Sequence, residues 1–63
     1  MTDVARLFAE ITAKLEDMHG VAVEGQANDL SPTMTIGLAS SLRTDTARLI
    51  QTLALIDNKS VLP

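Results

Sequence analysis

Val4-Ala5-Arg6-Leu7-Phe8-Ala9-Glu10-Ile11-Thr12-Ala13-Lys14-Leu15-Glu16-Asp17-Met18 repeats its large apolar residues at steps of three and four. At 100° per residue, Val4, Leu7, Phe8, Ile11, Leu15 and Met18 fall within an arc of about 100°, the width of a one-sided buried stripe. Asp3, Arg6, Glu10, Lys14 and Asp17 take the opposite side, where Glu10 and Lys14 stand in the favoured i,i+4 orientation and Arg6 and Asp17 extend the ladder. Thr2 or Asp3 is placed to cap the N-terminus, and Gly20 stands where a left-handed residue ends a helix. The pattern predicts an amphipathic helix over 3–19.

The period is lost over 20–31, where Gly20, Gly25, Asn28 and Asp29 are turn formers, so a loop is expected. Val21-Ala22-Val23 alternates like a strand, but three residues with no partner strand do not hold one. A dozen residues is longer than the two to eight usual between packed helices.

Ser31-Pro32 then reads as a helix start, with Ser as N-cap and Pro at the first position, where its missing N–H costs nothing. Leu38, Leu42, Leu49, Leu53 and Ile56 mark a seam, with Met34 and Ile50 on its margins, and Asn58 beside Lys59 is placed to end the helix. A helix over 32–57 would span about 39 Å against about 25 Å for the first. Two features weaken it. Gly37 costs up to about 1 kcal/mol relative to Ala in a helix interior, and Ser40-Ser41-Leu42-Arg43-Thr44-Asp45-Thr46 is rich in residues that bond back to the chain. On a continuous helix, Asp45 and Thr46 fill a gap in the seam, where a polar residue costs stability but fixes register. On a broken helix, Thr44 caps a fresh start at 45–57. The continuous form is the preferred expectation. No coiled coil of three heptads is evident.

Composition limits the function. The chain has 63 residues, 46% hydrophobic and 21% charged, with one Phe, no Trp or Tyr, no Cys and a formal net charge of −3. That length allows one domain, 1–63, which buries only roughly 60% of its extended surface and is marginal alone. Without cysteine there is no disulfide or thiolate metal site to staple it, leaving an oligomer or a bound partner to enlarge the core. One aromatic ring offers little stacking surface to single-stranded nucleic acid or a flat cofactor. The net negative charge disfavours general binding to nucleic acid or an anionic membrane. The first half, 1–31, sums to −4 and the second, 32–63, to +1, which suits antiparallel packing of one on the other. The apolar runs stop at Leu53-Ala54-Leu55-Ile56, far short of the roughly 18 residues of a membrane span. The first residues lack the basic stretch and apolar core of a signal peptide, so a cytoplasmic protein is expected.

No motif names a reaction. His19 has only Glu16 and Asp17 near it at helical spacing, too few for a zinc site of three or four N or S ligands, and reads as a last-turn residue at a helix C-terminus. Four serines and seven threonines share that single candidate base, and neither Gly25 nor Gly37 sits in a phosphate-cradling motif. No catalytic residue, metal ligand or cofactor is expected. Small residues Ala5, Ala9, Thr12 and Ala13 beside the first stripe would admit a second helix at close range.

Leu30-Ser31-Pro32, then Leu38-Ala39-Ser40-Ser41-Leu42, then Arg48-Leu49-Ile50-Gln51-Thr52-Leu53 resembles the helix-turn-helix of MarR-like regulators. The resemblance covers barely a third of the chain, and Arg43 and Thr44 stand where a turn Gly and an apolar residue are usual. It implies a minimal DNA-binding regulator as the alternative function.

The leading expectation is an all-α helical hairpin that pairs with a second copy into an antiparallel four-helix bundle. The interface residues are Val4, Leu7, Phe8, Ile11, Leu15, Leu38, Leu42, Leu49, Ile50, Leu53 and Ile56. One short helix cannot cover the apolar end of the second, so Ile50 or Leu55 would stay exposed and mark an interface. The function expected is non-enzymatic protein–protein interaction, as an adaptor, anti-activator or regulatory subunit, with itself and a second protein as partners.

Overall fold

A computed structural model describes residues 3–61 of the chain, with side chains over 4–59. They form two helices, α1 (Asp3–Glu24) and α2 (Pro32–Val61), with no strand among the described residues. The helices fold back on each other as a hairpin 52 × 15 × 10 Å in extent. The caps expected at Thr2 or Asp3 lie outside the described side chains.

The hairpin is held by one seam. On α1, Val4, Leu7, Ile11, Lys14, Met18 and Val21 are the buried or half-buried residues, and on α2, Leu38, Leu42, Asp45, Leu49, Thr52 and Ile56 are. Both sets advance in alternating steps of three and four, the 3.5-residue period of a coiled-coil seam. The three-heptad pattern is therefore present after all. It is hard to see in the sequence because Lys14, Asp45 and Thr52 occupy seam positions where apolar residues are usual.

Lys14 corrects the first helical projection. It lies on the seam rather than the outward side, with its Nζ 3.8 Å from Oδ1 of Asp45 across the hairpin. Counting outward from that pair in antiparallel register, Leu7 is level with Thr52, and Val21 with Leu38. Thr52 and Thr46 satisfy their hydroxyls within α2, donating to the carbonyls of Arg48 at 3.0 Å and Leu42 at 2.8 Å. Polar side chains thus enter or border the seam without orphaned hydrogen-bonding groups.

α1 does not stop at residue 19, and the connection is 25–31 rather than 20–31. Gly20 is an interior residue with ordinary helical backbone, since no described residue has positive φ. The extra turn brings Val21 to the next seam position, and burial of that side chain offsets the cost of the glycine. The helix ends by tightening: Gly25 N–H donates to the Val21 carbonyl, then Gln26 and Ala27 N–H donate to Val23 and Glu24, three residues back.

α2 begins as expected. The Ser31 hydroxyl accepts the Met34 N–H at 3.1 Å, and its carbonyl accepts from both the N–H and the hydroxyl of Thr35. The helix passes Gly37 and Arg43–Thr46 without interruption, so the continuous form holds and Thr44 caps nothing. The turn required by the helix-turn-helix resemblance is not formed. Asn58 does not end the helix either: it runs on to Val61. At 1.5 Å per residue α2 is about 45 Å long and α1 about 33 Å, so α2 overhangs at its ends.

At both Gly20 and Gly37 an added Cβ would meet nothing within 4 Å. Gly20→Ala with Gly37→Ala should therefore raise stability by about 1–2 kcal/mol in urea unfolding, each change removing a helix-interior glycine. An unchanged or lower midpoint would contradict continuous helices through both positions.

Candidate interaction surface

The expected interface residues separate into two groups. Leu7 and Ile56 are buried, and Val4, Ile11, Leu38, Leu42 and Leu49 are half-buried along the seam within the hairpin. Phe8, Leu15, Ile50 and Leu53 are not covered by it: they remain 53%, 51%, 62% and 48% exposed. The small residues Ala5, Ala9, Thr12 and Ala13 are exposed as well.

Heptad position explains the separation and places the uncovered residues together. Phe8, Leu15 and Ala22 follow one another at seven-residue steps along one border of the α1 seam. Ala39, Thr46 and Leu53 do the same along the α2 seam. In antiparallel pairing these two borders lie on the same side of the hairpin. Near the turn that arrangement is direct, because Ala22, Leu38, Ala39 and Leu42 line one groove between the helices. Ile50 sits on the next row outward, so Phe8, Leu15, Ile50 and Leu53 share a flank. The other flank is mixed: Glu10, Lys14, Arg48, Leu49, Gln51 and Thr52 line one groove, and the exposed Leu55 borders another with Arg6, Glu10 and Lys59.

The helices alone do not enclose a core. No described side chain is fully buried, and only Leu7 and Ile56 are mostly so. The accessible surface is 4901 Å², against roughly 3,900 Å² for a compact monomer of this mass, an excess of about 1,000 Å². A stable protein–protein interface removes about 800 Å² per partner, so the excess is of the size one interface would cover.

His19 is exposed, and no three described His, Asp or Glu residues converge as a metal site. No helix of the described residues is long and apolar enough to cross a membrane. The sequence pattern names Phe8, Leu15, Ile50 and Leu53 but does not divide them from the seam residues. Lys14 and Asp45 carry that signal, since a facing opposite pair at seam positions fixes which rows face inward. Compared with known protein families, curated proteins and solved structures, the chain matches none.

Proposed function

We propose that the chain is a non-enzymatic protein–protein interaction module, of the adaptor, anti-activator or regulatory-subunit kind, that works as a homodimer in the cytoplasm. Two hairpins pair through the Phe8–Leu15–Ile50–Leu53 flank to make an antiparallel four-helix bundle, and the bundle is the unit that meets a second protein. One observation carries this. Four large apolar side chains of one flank are about half exposed or more, in a hairpin that among its described residues buries only Leu7 and Ile56 well. Large exposed apolar patches on small proteins mark interaction surfaces, and a two-fold axis lets the same patch serve both sides.

Folding coupled to pairing makes stability depend on concentration. The melting temperature by circular dichroism should climb steadily as protein concentration is raised from low to high micromolar. A melting temperature independent of concentration would count against the homodimer.

A further inference from the structure

The uncovered flank has a polarity that its use as a homodimer surface would exploit. Arg43, Thr46, Ile50, Leu53 and Asp57 follow one another at steps of three and four along α2, all exposed. The order is cation, hydroxyl, two apolar residues, anion. Thr46 already spends its hydroxyl on Leu42, so it leaves no donor to satisfy at a buried contact. Neither Arg43 nor Asp57 makes an ion pair with another described residue of its own chain. Arg43 and Asp57 stand seven residues to either side of Ile50, about 10.5 Å along the axis in each direction.

A stripe of this kind is complementary to itself when reversed. We infer that two copies pair α2 against α2, antiparallel, about a two-fold axis at Ile50, an inference that rests on the homodimer proposed above. Ile50 then meets Ile50 of the second copy, Leu53 meets Thr46, and Arg43 meets Asp57 at each rim.

By the register of the Lys14–Asp45 pair, Phe8 lies level with Gln51 and Leu15 level with Thr44. Phe8 therefore stands within a residue of the Ile50 axis, and Leu15 about six residues to its Arg43 side. Phe8, Ile50 and Leu53 therefore gather about the axis, with the opposite charges Arg43 and Asp57 seven residues to either side of it. Opposite charges at a rim choose register and reject shifted pairings more than they add affinity. A hairpin face 52 Å long and 15 Å wide provides area on the order of the 800 Å² per partner in a standard interface. The occupant is a second copy, since its charge order is the complement of the stripe.

The sequence contains no cysteine, so one introduced thiol reports on one position. Ile50→Cys should form a disulfide-linked dimer on mild oxidation, while Leu55→Cys, on the other flank of α2, should stay reduced. In a parallel arm, Arg43→Asp alone should weaken the dimer roughly tenfold by sedimentation, because both symmetric rim pairs become repulsive, and adding Asp57→Arg should restore it. A dimer in which Ile50→Cys links no faster than Leu55→Cys, or in which the double charge exchange fails to restore affinity, overturns the axis while leaving the homodimer standing. An unmodified chain that sediments as a folded monomer overturns both.

Discussion

Leu53→Asp should abolish the assembly and most of the helicity with it, while Leu55→Asp, two residues further along the same helix, should leave both. The two leucines are matched in the hairpin, 48% and 50% exposed, so the single chain gives no reason for them to differ. They differ in flank. Leu53 borders the apolar side with Phe8, Leu15 and Ile50, whereas Leu55 shares a groove with Arg6, Glu10 and Lys59. On the first side a carboxylate would be buried against a second copy with no cation to meet it, a penalty of about 3–5 kcal/mol for an uncompensated charge. Two-fold symmetry would impose that penalty twice. On the second side a carboxylate stays in water beside two cations. The hairpin freed by Leu53→Asp would retain, among the described residues, only Leu7 and Ile56 as buried side chains, too little to offset the ordering of two helices. Circular dichroism and sedimentation on the two variants check both halves. Equal behaviour of the pair would contradict the division of flanks.

Lys14→Leu with Asp45→Leu should make the protein more stable and less particular. The 3.8 Å pair is half-buried on the seam, where desolvation cancels much of its attraction. Replacing such pairs by packed apolar residues is often stabilising, by about 1–4 kcal/mol. In a chain this small, each 1 kcal/mol moves the melting temperature by roughly 4–8 °C. The loss should appear in specificity, because a single polar layer in an apolar seam penalises shifted registers and other oligomer numbers. A hotter melt with a broadened or larger assembly mass is the expected result. A cooler melt would show the ion pair to be a net stabiliser. Asp45→Leu alone leaves Lys14 on the seam, but its long stem carries the ammonium to water, so that variant should be stabilised less.

The two helices, their order, the Ser31-Pro32 start and the continuity of α2 were legible from periodicity and capping residues. What was not legible depended on the partner helix. Gly20 satisfies every local rule for a helix end, yet α1 passes through it because Val21 gains a seam position against α2. Lys14 falls on the outer side of the sequence pattern because charge ordinarily means solvent, and nothing local pairs it with Asp45, thirty-one residues away. The same omission hid the three-heptad seam and merged Phe8 and Leu15 with the residues that the hairpin itself covers. Each miss arises where a contact between helices outweighs a local preference.

Sedimentation equilibrium of the unmodified chain at micromolar concentration tests the central claim most directly, that the Phe8–Leu15–Ile50–Leu53 flank is covered by a second copy. A single helical species of about 13.4 kDa, twice the 6.7 kDa chain, is the result expected for a closed two-fold dimer. A fully helical, cooperatively melting species of 6.7 kDa would contradict it.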